Sequence, residues 1–561
     1  MNKPVIYQLF VRLFGNKKTS TIYSGTIEEN GVGKMNDITE KALSELYKMG
    51  ITHIWLTGIL EHSTTTAYSN IPSAPPEIVK GRAGSPYAVC DYYDVAPDLA
   101  VSVENRMQEF ENLLVRIHQA GMKAWIDFVP NHVSRQYHSD NAPENVTDFG
   151  ERDNPNVAFS PNNNFYYISE KTLQLPENLR PFGEQIPFHT NEISFYENPA
   201  KATGNDCFYE TPAINDWYDT VKLNYGVDYL NGKQQHFSPT PDTWEKMVDI
   251  LLFWCKKGVD GFRCDMAEMV PVEFWRYAIR QVKTHFPNTV FVAEIYDESR
   301  YREYVFEGGF DFLYDKVGFY DTLRNIITSN ASTHAITDCW KRLQGLDAYM
   351  LRFLENHDEQ RIASRFFAQD PWKAIPAMML AATMNTNPVM LYFGQEVGEN
   401  AASATGFSGD DGRTSIFDYC HVPQHQRWMN NGAFDGGLLS ENDRKLRDVY
   451  SEILQLCRSS ETIKNGAFYD LMWANPHITR QYLYLRHTET EILLFCLNFD
   501  PQPVEINVII PPDVFNIADG FILKPVFGGG EEIAVDECGI RVRVRGFGAG
   551  GFEVKNFSQK F

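Results

Sequence analysis

The chain has 561 residues, more than one ordinary domain holds, so two or three domains are expected. Hydrophobic residues at 43% and charged residues at 22% supply the core of a normal soluble globular protein. Acidic residues outnumber basic ones by 73 to 51, and the net charge of -22 argues against nucleic acid, whose phosphates need clustered Lys and Arg.

The opening MNKPVIYQLF runs straight into a strand-like segment, Val5–Val11, with no charged n-region, apolar h-region or cleavage site, so no signal peptide is expected. A helix follows over Asp37–Lys48, stopped at Met49-Gly50, then a strand over Thr52–Thr57. The helix Glu104–Gln119 ends at Gly121 and leads to the strand Lys123–Val129. Farther on, the helix Trp244–Lys256 precedes the strand Val259–Cys264, and Pro271–Thr284 precedes Val290–Glu294. Strands Phe310–Tyr314, Met350–Leu354 and Val389–Phe393 complete the set. Eight strands alternating with helices predict an α/β fold, a (β/α)8 TIM barrel.

Two stretches break the alternation. Val133–Tyr225, dense in Asn, Pro, Phe and Tyr, has no long helical period, and a loop of that length is expected to be a lid or inserted subdomain after strand three. From about Ile463, short β-rich runs (Gln481–Arg486, Ile492–Asn498, Val504–Ile510, Ile540–Val544) punctuated by Gly and Pro predict a C-terminal antiparallel β-sandwich. The expected organisation is barrel over 1–132 and 226–462, an inserted domain over 133–225 and a sandwich over 463–561. No run of about 18 apolar residues predicts a membrane span. The nine cysteines are scattered, odd in number and without CxxC spacing, which points to free thiols and a cytoplasmic setting.

Four of the strand ends turn polar in the same way: DFVPNH (Asp127 to His132), GFRCD (Gly261 to Asp265), FVAEIYD (Phe291 to Asp297) and FLENHD (Phe353 to Asp358). A buried parallel strand reads like this when its C-terminal tip opens into a site built from several strands. Arg263 and Asp265 are two apart, so both point into the barrel mouth while Phe262 and Cys264 face the helices. An arginine there holds the aspartate ionised and oriented, as a carboxylate nucleophile requires; a purely structural ion pair is the rival reading. Glu294 ends the next strand, where neighbouring Asp265 and Asp358 would raise its pKa and keep it protonated as an acid. His132 and His357 lack HxH or HExxH spacing, so hydrogen bonding to substrate hydroxyls is a better reading than metal ligation. An aromatic content of 14% supplies flat rings of the kind sugar clefts use.

These four stretches, in this order, resemble the four signature regions of the alpha-amylase family of retaining glycoside hydrolases, and the barrel, the insertion and the C-terminal β-domain extend the resemblance over the whole chain. The resemblance implies Asp265 as nucleophile, Glu294 as general acid/base and Asp358 as third carboxylate gripping substrate hydroxyls. It implies that Arg263 positions the nucleophile and that His132 and His357 bind the sugar at the cleavage point. Tyr87 in SPYAVCDYYDV resembles the family's stacking tyrosine, ahead of the Asp91-Tyr92 pair, which adds Asp91 to the substrate-binding set. PVMLYFGQE (Pro388–Glu396) resembles the eighth-strand motif and VKLN (Val221–Asn224) the motif closing the inserted domain. In the implied mechanism the two principal carboxyl groups stand about 5–5.5 Å apart.

The sequence departs from the pattern after the nucleophile, where Met266-Ala267-Glu268-Met269 replaces a typical ending in Lys-His. In relatives that lysine contacts the leaving-group sugar and the histidine lends a backbone oxygen to a structural calcium. The N-terminal EENGVGKMND (Glu28–Asp37) also lacks the alternating aspartates of a calcium loop. Three carboxylates suffice for the chemistry, so no cofactor is expected for it; any bound calcium would be structural, and Asn131 is the one candidate ligand.

The expected substrate and partner is an α-glucan oligo- or polysaccharide, with no nucleic acid and no membrane. Hydrolysis of α-1,4 bonds leads; a transglycosylase or oligosaccharide α-glucosidase, and an inactive glucan-binding scaffold, are the alternatives. Chain-length preference and oligomeric state are not legible.

Overall fold

The computed structural model describes residues 3–176, 179, 195–402, 406–511, 515–528, 533–536 and 539–559. Part of the inserted segment expected over 133–225 (177–178 and 180–194) lies outside these residues.

Eight parallel strands form one sheet: β1 (Val5–Phe10), β2 (His53–Thr57), β3 (Lys123–Phe128), β4 (Gly261–Cys264), β5 (Val290–Ala293), β6 (Phe312–Tyr314), β7 (Met350–Leu351) and β8 (Val389–Tyr392). They lie in the order β7-β6-β5-β4-β3-β2-β1-β8. A parallel bridge between Arg352 and Val389 joins the two ends, with Arg352 N–H on Pro388 O (3.1 Å) and Met390 N–H on Arg352 O (2.9 Å). The sheet is thereby closed into the predicted (β/α)8 barrel.

The strand period decides what faces inward. Ile6, Trp55, Trp125, Val292, Phe312 and Met390 belong to one buried cluster that fills the barrel, while Val5, Ile54, Phe262, Phe291 and Leu313 pack outward against the helices. Gly261 makes room for this filling: a Cβ there would lie 2.7 Å from the Trp125 indole and 2.8 Å from the Val290 carbonyl oxygen.

Observed elements begin and end within a few residues of those expected, and local hydrogen bonds explain the shifts. The first long helix runs Glu40–Met49 instead of starting at Asp37, because the Asp37 carboxylate already accepts from Lys34 N–H (2.9 Å) and Thr39 Oγ1 caps Ala42 N–H (3.2 Å). The seventh strand is short, Met350–Leu351, since Arg352 makes only the closing bridge before the chain turns.

The inserted segment is largely irregular, with the short pairs His132–Ser134 to Thr220–Lys222 and Tyr167–Ile168 to Ala200–Lys201. Its many Asn and Asp side chains satisfy that backbone. Asp153 accepts from Asn164 N–H (2.7 Å) and Phe165 N–H (3.0 Å), and Asn224 donates to Ser160 O and Asn163 O (both 2.8 Å). At the C-terminus an antiparallel five-stranded sheet and an antiparallel three-stranded sheet share a core. They dock on the barrel through Arg486, which donates to Thr383 O (2.6 Å), and Tyr484, whose hydroxyl meets Thr383 Oγ1 (2.6 Å). Among the described residues no helix is long and apolar enough to cross a membrane.

Gly261→Ala pushes a methyl group into Trp125 and the β5 backbone. The expected cost is about 1–3 kcal/mol, read as a lower urea midpoint. An unchanged midpoint would mean that the barrel interior yields at no cost.

Candidate active site

The inward-facing row turns polar at the C-terminal rim. On β1 Ile6 is followed inward by Gln8, on β2 Trp55 by Thr57, and on β3 Trp125 by Asp127. Beyond the apolar layer β4 presents Arg263 and then Asp265, and β5 presents Glu294. The ladder still holds the two acidic positions: Asp265 N–H bonds Phe128 O (2.8 Å) and Glu294 N–H bonds Cys264 O (3.1 Å). Both carboxylates therefore stand on rigid strand ends.

Arg263, 1% exposed, is the centre of the site. Its Nη1 lies 2.7 Å from Asp265 Oδ1 and 3.5 Å from Asp127 Oδ1, its Nη2 lies 2.8 Å from Glu294 Oε2, and its Nε donates to Tyr314 Oη at 3.1 Å. Trp55, Tyr87 and Tyr314 surround the guanidinium with ring centroids 5.4–5.5 Å away. Glu294 Oε2 also accepts from Met266 N–H (2.8 Å), which the left-handed backbone of Met266 (φ 44°) accompanies, and Oε1 accepts from Tyr296 Oη (2.6 Å).

Burial and charge act against each other on these acids. Burial raises Asp265 above the usual carboxylate range despite the opposing Arg263 guanidinium beside it. Glu294 is raised in the expected direction but from a different leading cause, burial, with Arg263 opposing and, of the two expected carboxylates, Asp265 adding to the rise. Asp358 is pushed up to about 8 by burial and then by the neighbouring charge of Glu294. Asp127, also buried, is pushed up to about 7 by that burial, with Arg263 opposing.

A relay of hydrogen bonds orders the ring-bearing residues. Gln8 Nε2 lies 2.9 Å from His357 Nδ1, so with the amide donating, the imidazole carries its proton on Nε2. That nitrogen is 2.6 Å from Tyr87 Oη and 3.1 Å from Asp358 Oδ2, and Tyr87 Oη donates to Asp127 Oδ1 at 3.4 Å. Burial and Arg263 hold His357 neutral. Burial likewise pulls His132 down to about 4, and Asn131 Nδ2 donates to its Nδ1 (3.2 Å), leaving Nε2 as a donor. Tyr87, His132, Asp265, Glu294, His357 and Asp358 line a single cavity of about 320 Å³. Trp217 (5.1 Å between ring centroids from His132), Phe407 and Phe417 add its aromatic walls. Neutral donors, carboxylates and flat rings in one concave site are equipped to hold a polyhydroxylated ring and to exchange protons with it.

Of the residues singled out in the sequence, Asp91 is not brought to this cavity. Its carboxylate accepts from Tyr93 N–H (2.7 Å), Ser139 Oγ (2.6 Å) and Asp140 N–H (3.1 Å), and so organises the start of the insertion. The strand Val89–Val95 pairs with Leu60–His62 and sets Asp91 opposite Glu61, away from the rim. The inward β3 carboxylate is instead Asp127, which has no role assigned in the sequence reading although strand period alone places it. Tyr296, two residues after Glu294, and Trp217, on the irregular insertion, are further lining residues that reading passed over.

Among the described residues, the surroundings of Asn131 do not fit the calcium that the family resemblance implies. Asn131 Oδ1 already accepts from the buried Lys222 ammonium (2.6 Å), Nδ2 donates to Gly204 O (2.7 Å), and Lys222 Nζ also pairs with Asp206 Oδ1 (2.6 Å). A cation thus stands where a metal would need oxygen ligands. The one acidic trio close enough for a metal among the described residues, Glu61, Asp94 and Asp140, likewise surrounds a guanidinium: Arg106 Nη2 is 2.5 Å from Asp94 and 3.7 Å from Glu61.

A closed parallel barrel with acids and an arginine converging at its C-terminal rim is the architecture of a barrel enzyme. Residues 8–416 match the family model described as alpha amylase, catalytic domain, and the chain belongs to the alpha-amylase family of glycoside hydrolases. It is 24% identical over 484 residues to alpha-amylase 3 of Dictyoglomus thermophilum, a span covering 82% of this chain and 78% of that one. It is 23% identical over 471 residues to the cyclomaltodextrin glucanotransferase of Bacillus licheniformis, covering 77% and 56% of the two chains. The noncanonic maltogenic alpha-amylase AmyB from Thermotoga neapolitana superposes with a TM-score of 0.61 over 98% of both chains at 19% identity, a likeness of fold.

Arg263→Lys keeps the charge and loses the fork that reaches three carboxylates. Turnover is expected to fall about a hundredfold through misplacement of Asp265 and Glu294, with the fold retained by circular dichroism. Turnover within twofold of the parent would show that charge alone suffices.

Proposed function

We propose that the protein is a retaining α-glucan hydrolase that cleaves α-1,4-glucosidic bonds of starch- or glycogen-type chains through a covalent glycosyl-enzyme. The observation that carries this reading is one buried guanidinium in contact with both Asp265 (2.7 Å) and Glu294 (2.8 Å) at the edge of a ring-lined cavity. Asp265 attacks the anomeric carbon as the bond to the leaving oxygen breaks, and protonated Glu294 gives its proton to that oxygen. Glu294, now a carboxylate, takes a proton from water as the water oxygen displaces Asp265 with a second inversion. Asp358 and the Nε2–H donors of His132 and His357 hold ring hydroxyls, and Tyr87 stacks on the sugar. Positive charge developing on the ring is offset by the acidic groups that converge on it from the strand ends.

A transglycosylase would use the same groups with an acceptor sugar in place of water, and the glucanotransferase relative keeps that second reading open. Chromatography of products with and without added maltose separates the two. The scattered cysteines, odd in number and without CxxC spacing, support a reducing, cytoplasmic setting.

Asp265→Asn and Glu294→Gln are each expected to lower kcat by about three orders of magnitude or more. Proton NMR of the first product should show the α anomer. A tenth of the parent turnover in either variant, or a β-anomer burst, would overturn the mechanism.

Catalysis in this reading needs no metal, and Lys222 supplies the cation between Asn131 and Asp206. Dialysis into excess chelator should leave activity and melting temperature within error of the untreated protein. Complete inactivation restored by added calcium would show a ligand set that displaces the ammonium.

A further inference from the structure

Tyr296 sits on the loop leaving β5, partly exposed and lining the cavity, and its hydroxyl lies 2.6 Å from Glu294 Oε1. The backbone beneath it is clamped. Glu268 Oε2 accepts from both Tyr296 N–H (2.9 Å) and Asp297 N–H (3.1 Å). Glu268 is itself fixed in the short turn Ala267–Met269 that follows Asp265, and Arg300 and Tyr304 donate to its carbonyl oxygen (3.1 and 3.3 Å). The turn after β4 and the loop after β5 thus lock together, and the lock aims one phenol at one carboxylate oxygen.

We infer that Tyr296 is the positioning residue for Glu294: its hydroxyl holds Oε1 and favours the carboxylate form that the second, water-activating step requires, and Glu268 holds Tyr296 in place. This rests on Glu294 being the acid/base. Each oxygen accepts one hydrogen bond, but Oε2 also faces the Arg263 guanidinium, which disfavours a proton there, so Oε1, beside the neutral phenol, is the oxygen that exchanges a proton with the substrate. In the first step the proton leaves Oε1 for the glycosidic oxygen as Asp265 bonds the anomeric carbon, and the phenol O–H then donates to the new carboxylate. In the second step the carboxylate takes a proton from water, whose oxygen bonds the anomeric carbon as the ester to Asp265 breaks. The phenol keeps its proton throughout; its own pKa is raised, by burial first and then by Glu294.

The titratable and charged groups facing Glu294 are Arg263 and Asp265 from β4, Tyr296 on its own loop, Tyr314 from β6 and Asp358 after β7. Burial raises Glu294, and the hydrogen bonds from Met266 and Tyr296 work in the opposite direction. Removing the phenol hydroxyl alone therefore moves Glu294 further upward, since a donor to the charged form is lost.

The test is Tyr296→Phe, followed on two substrates over pH. On an unactivated maltooligosaccharide the alkaline limb of kcat/KM should move to higher pH. On a substrate whose leaving group needs no protonation, so that the second step limits, kcat at neutral pH should fall about tenfold. Glycosyl-enzyme should then accumulate by intact-protein mass spectrometry. Glu268→Ala should move the limb in the same direction, and the double variant should add little to Tyr296→Phe because both act through one phenol. An alkaline limb that stays in place in Tyr296→Phe, whatever happens to turnover, would reduce the phenol to packing and overturn the inference. Glu294→Gln separates the two levels: if it keeps parent turnover the acid/base reading fails, and if it is inactive while Tyr296→Phe leaves the limb unmoved, only the role of Tyr296 fails.

Discussion

Arg263 meets Asp127, Asp265 and Glu294 from one buried position, and the rest of the rim is arranged around that fact. Three carboxyl groups cannot all be ionised beside one cation without leaving uncompensated charge in a dry interior. Burial raises Asp127, Asp265 and Glu294 above the ordinary carboxylate range, and the guanidinium opposes that rise at each of them. The two nearest acids are distinguished by what else they touch. Asp265 takes its short contact from Nη1, and Glu294 is ringed by Met266 N–H and Tyr296. Those extra donors favour the charged form of Glu294 and so work against its burial.

The barrel supplies the rigidity this needs. Arg263 is oriented by Tyr314 and enclosed by Trp55 and Tyr87, so its planar fork has little freedom to swing toward one acid and abandon another. The same inward row that carries the polar rim carries the tryptophans that fill the barrel below it. Core packing at Trp125 and site geometry at Asp127 are consecutive positions of one period-two pattern, and the size of Gly261 matters to both.

That pattern is also why so much was legible in the sequence. Apolar runs ending in polar residues located β3, β4, β5 and the turn after β7, and alternation alone put Arg263 and Asp265 on one face. Where reading depended on a neighbour in sequence it went astray. Asp91 lies in a well-formed strand close to Tyr87, but antiparallel pairing with Leu60–His62 turns it toward the insertion, while Asp127 takes the inward place. Tyr296 and Trp217 were invisible for another reason: their positions are set by loops whose hydrogen bonds run to Glu268 and, from Trp217 N–H, to Asn205 Oδ1 (3.2 Å), partners with no local signature. The period of two ends where the ladder ends, and beyond it only long-range contacts decide direction.

Long-range contacts likewise explain the departures after Asp265 and at Asn131. A site that relies on a metal needs several free oxygen ligands, each of which repels the others until the ion binds. Here the oxygens of Asn131 and Asp206 converge on the Lys222 ammonium, and those of Glu61 and Asp94 on the Arg106 guanidinium. A cation delivered by the chain arrives with folding and needs no free ion, so these junctions close without a concentration term. Lys222 belongs to the strand that pairs with His132, which means that its ammonium ties the cavity-lining histidine to the inserted segment. Glu268 works with the opposite sign: its carboxylate collects the backbone amides of Tyr296 and Asp297 and so ties the turn after β4 to the loop after β5.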